Sequence, residues 1–181
     1  MSIVDNPRYL IDSNCLIAAK NTYYNPNFCS QFWNVIRILY EQEILYSIDK
    51  VRKELANGDK DDYLRMNIAH NKIFDNMWLK TSLASSGYKK VVQEANTWFE
   101  RNRNGRQRAF NEFLSEDNAD AFLLAIAYEN NYTIITQEKA DPNNGNKRIK
   151  IPDIAEKLNI KCCNTYDMLN KYCDKNFAII S

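Results

Sequence analysis

The chain has 181 residues, of which 45% are hydrophobic and 26% are charged, with only four glycines and four prolines. This length and composition are typical of one ordered globular domain and exclude disordered and collagen-like chains. The formal net charge of +1 gives no argument for a general attraction to nucleic acid or to an anionic membrane, so any such surface has to be local.

Cysteine and histidine usage narrows the chemistry. Five is an odd number of cysteines and no CxxC spacing occurs, which favours reduced thiols. His70 is the only histidine, so the chain offers little for a zinc site or a Ser-His-Asp hydrolase. No apolar run approaches the ~20 residues of a membrane span, and the segment MSIVDNPRYLID lacks the features of a secretory signal. We therefore expect a cytoplasmic protein.

The first predicted element is a short buried strand at YLIDS, where a continuous apolar run ends at Asp12. A helix is predicted to follow it. The next helix is predicted from apolar residues that recur with helical spacing on one face, namely Phe28, Phe32, Val35, Ile36 and Leu39. We assign the aromatic side chains of this region to the core rather than to a base-stacking platform: Tyr23, Tyr24, Phe28, Phe32 and Trp33.

The rest of the chain alternates predicted strands and helices. EILYSI is a second strand and DKVRKELANG a helix, and the middle of the chain is mostly helical with one short strand at MWLKTS. The last third predicts, in order, the helix NADAFLLAIAYENN, the strand YTIITQE, the helix IPDIAEKLN, the strand IKCCNT and the helix YDMLNKY. This alternation predicts one α/β domain over residues 1–181, with parallel strands whose carboxyl edge binds ligands.

Four acidic residues are predicted to meet at that edge. Asp12 and Glu138 follow strands, Glu54 lies in the helix after the second strand, and Asp120 begins an apolar helix. Neighbouring carboxylates repel one another unless a cation offsets their charge. Ligands that offer only oxygen atoms suit Mg²⁺ or Mn²⁺, and these ions share phosphate oxygens with substrates. The pattern therefore favours phosphodiester hydrolysis.

The segments YLIDSNCLI, IDKVRKEL, ADAFLLAIA and TIITQE resemble, in order and spacing, the acidic motifs of the PIN-domain family of metal-dependent ribonucleases. The resemblance implies a three-layer α/β/α sandwich with a central, mostly parallel sheet of four to five strands. It also implies a Mg²⁺- or Mn²⁺-dependent endoribonuclease, often the toxin of a type II toxin–antitoxin pair.

The residues that match the family's catalytic and metal-binding acids are Asp12, Glu54, Asp120 and Glu138. The family more usually has aspartate at the fourth position, so Asp141 and Asp153 are alternatives to Glu138. Ser13 and Thr136 match the hydroxyl residues that the family usually has near the first and fourth acids, where they orient carboxylates. Asn14 either does the same or caps the following helix.

Two basic tracts are candidate phosphate contacts. One follows an asparagine-rich turn soon after Glu138 and consists of Lys147, Arg148 and Lys150, which are predicted to bind RNA phosphates. A basic loop ahead of a helix that Asp153 caps is the other interpretation. The second tract is either a solvated corner or a phosphate-contacting surface and contains Arg101, Arg103, Arg106 and Arg108.

Other functions stay open at this point. Asp12 is also placed to be the acceptor of a phosphoaspartate-type phosphatase or receiver domain, and a PIN-like fold also occurs in non-catalytic binding domains. DNA is an alternative substrate to RNA. The resemblance further implies a cognate antitoxin that covers the acidic edge, and a homodimer for which the helix at residues 28–40 is a candidate surface.

Overall fold

The computed structural model describes residues 7–101, 107–140, 148–174 and 176–180. A five-stranded sheet lies at the centre of the fold, and every paired strand in it runs parallel to its neighbour. Its order is β3-β2-β1-β4-β5. The strands are β1 (Tyr9–Ile11), β2 (Leu45–Ile48), β3 (Trp78–Leu79), β4 (Thr133–Ile135) and β5 (Cys162–Cys163). The predicted parallel sheet of four to five strands is confirmed.

Strand β1 occupies the middle of the sheet because its side chains are apolar on both faces. Tyr9, Leu10 and Ile11 are all buried, as expected for a strand covered by helices on both sides. Tyr9 pairs with Leu45 of β2 and with Thr133 of β4. The residue that follows β1 therefore lies at the centre of the sheet's carboxyl edge.

Helices connect the strands and flank the sheet, in agreement with the predicted three-layer α/β/α class. They are α1 (Ser13–Asn21), α2 (Ser30–Glu41), α3 (Asp49–Ala56), α4 (Ser85–Arg101), α5 (Gln107–Phe113), α6 (Asp120–Asn130), α7 (Ile151–Ala155) and α8 (Thr165–Tyr172). A π-helical turn (Arg65–Ala69) and two 3₁₀ helices (Lys72–Met77 and Thr81–Leu83) lie between α3 and α4. Within the described ranges, no helix combines the length and the apolar character that crossing a membrane requires.

Helix α6, which begins at Asp120, is largely buried. Every residue from Leu123 to Ala127 is buried. Helix α4 packs closely on it because Gly87 has no side chain, since a Cβ atom there would collide with the carbonyl oxygen of Ala125. The Gly87 N–H donates a hydrogen bond of 2.5 Å to Glu129 Oε1 at the far end of α6. This packing fixes the position of Asp120 at the first turn of α6.

The aromatic region ahead of β2 differs in part from the prediction. Phe32 and Trp33 are buried as expected, and Tyr24 stacks on Phe32 with ring centroids 4.3 Å apart. Assigning Phe28 and Tyr23 to the core was wrong, because their side chains are 74% and 75% exposed. A turn built on Asn25 is the physical reason for Phe28: the Asn25 carbonyl accepts hydrogen bonds from the Phe28 and Cys29 N–H groups, so α2 begins only after Phe28.

The cysteines agree with the predicted redox state. All five lie in the described ranges, and none of them forms a disulfide. Cys15 is buried at the start of α1, where its thiol donates to the Ile135 carbonyl oxygen at 3.4 Å. Cys15 therefore contributes to core packing, whereas Cys162 is exposed.

Candidate metal centre at the carboxyl edge of the sheet

Asp12 occupies the centre of the carboxyl edge. Its N–H donates to the Ile135 carbonyl oxygen at 3.0 Å, which extends the pairing of β1 with β4 by one residue. The side chain is buried, with the residue only 3% exposed, and Thr136 Oγ1 donates a hydrogen bond of 3.1 Å to Asp12 Oδ2. The end of a central strand thus buries a carboxylate where an apolar side chain is the usual occupant.

Ser13 links Asp12 to Glu54. The Ser13 hydroxyl lies 2.7 Å from Glu54 Oε2 and 3.4 Å from Asp12 Oδ1. A hydroxyl has a single proton to donate, so the shorter contact to Glu54 is the stronger hydrogen bond. Helices α1 and α3 therefore bring two of the predicted acids to the two sides of one hydroxyl.

Asp120 lies in the first turn of α6, where the helix dipole favours a negative charge. Its N–H donates a hydrogen bond of 2.8 Å to Asn118 Oδ1, which orients the chain as it enters the helix. The Asp120 carboxylate is buried, and its Oδ2 atom accepts no hydrogen bond within the described residues. The charged neighbour of this oxygen is Arg148, whose Nη2 lies 3.5 Å away. Asp120 is thus a buried acid with one long ion pair.

Glu138 lies beyond the end of β4 and has a backbone partner. Its N–H donates to Thr136 Oγ1 at 3.2 Å, and its Oε2 accepts a hydrogen bond of 2.8 Å from the N–H of Ile151, the first residue of α7. The Glu138 charge raises the pKa of both Asp12 and Asp120, which shows that it acts on both of these residues. The longer side chain of glutamate thus reaches the start of a neighbouring helix.

The electrostatics of the site favour the protonated form of two carboxyl groups. Burial raises the pKa of Asp12 to about 7, and the charges of Glu138 and Glu54 add to this while the Thr136 hydrogen bond opposes it. Burial also raises the pKa of Asp120 to about 8, with further increases from Asp12 and Glu138 and a decrease from Arg148. Within the described residues, the positive charge near these two groups does not offset the effect of burial on their pKa values, which is the condition that a bound cation corrects.

Asn14 connects the site to the end of β4. Its Nδ2 donates to Thr136 Oγ1 at 3.3 Å, and its Oδ1 accepts a hydrogen bond of 3.2 Å from the N–H of Gln137. The N-cap of α1 is Asp12, so of the two roles considered for Asn14 the structure favours support of the carboxylates over helix capping. Asn14 holds the hydroxyl that in turn holds Asp12.

The basic residues near Glu138 are placed unequally. Arg148 contacts Asp120, whereas Lys150 Nζ donates to the Lys139 carbonyl oxygen at 3.1 Å. Asp153 Oδ2 accepts a hydrogen bond of 3.0 Å from the Lys150 N–H at the start of α7, as the capping interpretation expects. The predicted RNA contact Lys147 and the alternative acid Asp141 lie outside the described residues, as do Arg103 and Arg106 of the other basic tract.

The residues present fit a hard divalent cation in chemistry. Among the residues that the structure describes, no three acidic, histidine or cysteine side chains converge closely enough to ligate one ion as they stand. The donors are nevertheless all carboxylate oxygens, and Asp120 Oδ2 is buried without a hydrogen bond. Mg²⁺ and Mn²⁺ prefer such oxygen ligands and complete their shells with water. Ligation of one ion therefore requires side chains of this acidic edge, defined as Asp12, Glu54, Asp120 and Glu138, to move together.

Two features of the site were not predicted from the sequence. Asn118 positions the Asp120 backbone, and its spacing two residues before Asp120 is the pattern of an Asx turn, which is a signal that the sequence does contain. The contact of Arg148 with Asp120 has no such signal, because it joins the segment before α7 to the first turn of α6, and these two segments are distant in sequence.

The fold and the site define a parallel α/β protein with an acidic carboxyl edge. The model of a domain family of unknown function, DUF4411, matches residues 9–174, and the chain therefore belongs to this family. No curated protein and no solved structure matches the chain. The matched range includes all four acids of the acidic edge.

Proposed function

We propose that this protein is a Mg²⁺- or Mn²⁺-dependent endoribonuclease that hydrolyses RNA phosphodiester bonds at the acidic edge. The observation that carries the proposal is the pair Asp12 and Asp120, two buried carboxyl groups with raised pKa values at the edge where parallel sheets bind ligands. The resemblance of the four acidic motifs to those of PIN-domain ribonucleases supports RNA as the substrate.

The cost of burying these groups argues for function rather than stability. A buried carboxylate without full hydrogen bonding or an adjacent cation is destabilising, and groups with raised pKa values cluster at functional sites. Asp120 Oδ2 has neither a hydrogen bond nor a short ion pair in the described residues. A chain that needed only a stable core would place an apolar residue there.

The four acids have distinct roles in this proposal. Asp12 and Asp120 are the central cation ligands, Glu54 contributes from α3, and Glu138 contributes from the end of β4. A bound Mg²⁺ or Mn²⁺ supplies a Lewis acid that offsets phosphodiester charge and makes water a better nucleophile. Thr136 and Ser13 hold the carboxylates of Asp12 and Glu54 through their hydroxyl groups, which limits the orientations that these ligands adopt.

A cleft beside the acidic edge supports a polymeric substrate. It has a volume of about 420 Å³ and is lined by Thr136 and Glu138 on one side and by Cys163 and Tyr166 on the other. Tyr166 is 50% exposed at this cleft, which makes it a candidate for stacking with an unpaired base. Lys150 contacts the carbonyl oxygen of Lys139, which lines the cleft, and Arg148 contacts Asp120 of the acidic edge, so both place positive charge near the proposed path of the phosphates.

Phosphoaspartate chemistry at Asp12 has weaker support. The phosphatase pattern has an acid two residues after the nucleophile, where this chain has Asn14. The toxin role, with a cognate antitoxin in the cytoplasm, rests on the motif resemblance and is compatible with five unpaired cysteines. Growth arrest on induced expression, absent from the Asp12→Asn variant, is the outcome that this role predicts.

The test is cleavage of end-labelled single-stranded RNA by the purified protein, with Mn²⁺ or Mg²⁺ and with a chelator. Single-stranded DNA of the same sequence is the parallel substrate. We expect metal-dependent RNA cleavage that falls at least about 100-fold in Asp12→Asn, because losing a ligand should cost no less than losing one of its supporting groups.

The matched control is Asp62→Asn, which removes a partly buried aspartate that pairs with Lys20 and is not one of the acids of the acidic edge. It is expected to keep cleavage within about threefold of wild type, since surface and structural pairs act through stability alone. Equal cleavage by wild type and Asp12→Asn, or cleavage that persists in the chelator, would contradict the proposal. Cleavage of DNA alone would retain the metal centre and reject the RNA substrate.

A further inference from the structure

Arg148 has an unusual position for a residue expected to bind substrate. Its guanidinium lies 3.5 Å from Asp120 Oδ2, the oxygen that accepts no hydrogen bond in the described residues. The Arg148 charge lowers the pKa of Asp120, against the larger effect of burial. Arg148 thus supplies part of the positive charge that the acidic edge lacks, at the atom where a divalent cation is expected to bind.

The backbone that follows Arg148 is held firmly while its side chain is not. Ile149 and Ile151 are buried, the Lys150 N–H donates to Asp153 Oδ2, and the Ile151 N–H donates to Glu138 Oε2. The Arg148 side chain itself is 52% exposed. Rotation about its side-chain torsions therefore moves the guanidinium without disturbing the start of α7.

The contact with Asp120 is of the kind that a cation displaces. A half-exposed ion pair at this distance shifts an equilibrium only about two- to fivefold, because water screens it and ordering the side chain costs entropy. A divalent cation carries twice the charge and contacts carboxylate oxygens at about 2.0–2.2 Å, so it interacts more strongly with the same atom. The guanidinium and the cation compete for Asp120 Oδ2.

We propose that Arg148 is an exchangeable counter-ion of the metal centre: it pairs with the Asp120 carboxylate in the metal-free protein, is displaced by the divalent cation, and then binds a phosphate oxygen of the substrate. The inference rests on the proposed function because it requires a cation at the acidic edge. A displaced guanidinium keeps its planar set of donors, which match a phosphate group. By linkage, cation and phosphate then favour each other's binding.

The first test measures Mn²⁺ dissociation constants by calorimetry for wild type, Arg148→Gln and Lys150→Gln. The lysine variant is the matched control because it removes the same charge two residues away, from a side chain that contacts the Lys139 carbonyl oxygen rather than a carboxylate. We expect Mn²⁺ to bind about two- to fivefold more tightly to Arg148→Gln and nearly unchanged to Lys150→Gln.

The second test repeats the Mn²⁺ titration with saturating adenosine 5′-monophosphate as a phosphate ligand that is not cleaved. The nucleotide is expected to increase Mn²⁺ affinity more in wild type than in Arg148→Gln, since only wild type gains a released guanidinium. Equal increases in the two proteins would overturn the phosphate step.

The remaining outcomes separate the two proposals. Mn²⁺ affinity that is the same in wild type and Arg148→Gln, or a gain of equal size in both variants, would overturn the counter-ion role and leave the nuclease intact. Failure of all three folded proteins to bind Mn²⁺ would overturn the metal centre itself, and the counter-ion role with it. Mn²⁺ binding that is detected only for Arg148→Gln would support the counter-ion role, with Arg148 competing strongly against Mn²⁺ in the other two proteins.

Discussion

Asp62 and Asp120 are both aspartates with a basic partner, and their side chains are 18% and 11% exposed, yet their surroundings differ. The Asp62 carboxylate contacts Lys20 Nζ, and its Oδ1 accepts hydrogen bonds from the Leu64 N–H at 2.8 Å and from the Arg65 N–H at 3.3 Å. Burial acts to raise the pKa of Asp62, but the hydrogen bonds from Lys20 and from the backbone together lower it by more than burial raises it. The net change in this pKa is therefore downward. For Asp120, burial prevails and the pKa rises to about 8.

The difference separates an acid that stabilises the fold from one that is available for binding. Asp62 fills its acceptor positions with donors from its own chain, so no ligand is needed to compensate its burial. Within the described part of the chain, Asp120 Oδ2 accepts no hydrogen bond, and its basic partner Arg148 lies 3.5 Å away. The comparison predicts that removing the two charges has opposite effects on stability.

The largest expected effect is on the stability of the metal-free protein. The folded-state pKa of Asp120 lies above its ordinary value, so the folded protein favours the protonated form of this residue. The stability that this protonated form contributes is fully present below about pH 4 and is lost as pH rises through about 8. Asp120→Asn removes this loss and is expected to raise the free energy of unfolding at pH 8 by about 2 kcal/mol, and by less at pH 4.5. Urea denaturation of wild type and Asp120→Asn at the two pH values measures this change in the free energy of unfolding.

Asp62→Asn is the matched control and is expected to change stability in the other direction. The folded-state pKa of Asp62 is lowered, so its contribution is present above the ordinary value and is lost only as pH falls through the folded pKa. The substitution is therefore expected to lower the free energy of unfolding at pH 8 by about 1–2 kcal/mol. A loss of stability in both variants would mean that Asp120 is as well compensated as Asp62.

A smaller effect is expected from the hydroxyl that supports Asp12. Thr136→Val keeps the shape of the side chain and removes the hydrogen bond to Asp12 Oδ2 together with the acceptor for Asn14 and for the Glu138 N–H. We expect metal-dependent cleavage to fall about tenfold, because such supporting groups typically contribute 10–100-fold. Steady-state cleavage at several Mn²⁺ concentrations separates weaker metal binding from slower turnover.

The control for this prediction is Thr133→Val, at the amino end of the same strand. Thr133 pairs with Tyr9, at the end of these two strands that lies away from Asp12 and Glu138. The same change of side chain there is expected to leave cleavage within about twofold, as for a substitution away from special features. An equal loss in both variants would attribute the Thr136 effect to the strand rather than to Asp12.

The order and type of the elements were predictable because the apolar pattern is local information. β1, α6 and β4 each have a periodicity or a continuous apolar run that identifies them, and the acids that end or begin them follow directly. Parallel strands place those ends together, so the proximity of Asp12 to the end of β4 also follows from the pattern.

The parts that were not predictable depend on contacts between distant segments or on turn geometry. Phe28 has the spacing of a helical core residue, but the hydrogen bonds of the Asn25 turn keep it outside α2 and exposed. Arg148 was expected to bind RNA, and its contact with Asp120 depends on where a loop approaches α6. The Ile151 N–H as the partner of Glu138 likewise arises from the position of α7 on the sheet.

A metal centre at the acidic edge is tested most directly by a calorimetric titration of Mn²⁺ into wild type, Asp12→Asn and Asp62→Asn at pH 8. At this pH, Asp12 is mostly ionised because its pKa is about 7. We expect saturable binding to wild type and to Asp62→Asn, and binding at least about 100-fold weaker to Asp12→Asn. Equal binding to all three proteins, or no binding to folded wild type, would contradict a metal centre at the acidic edge.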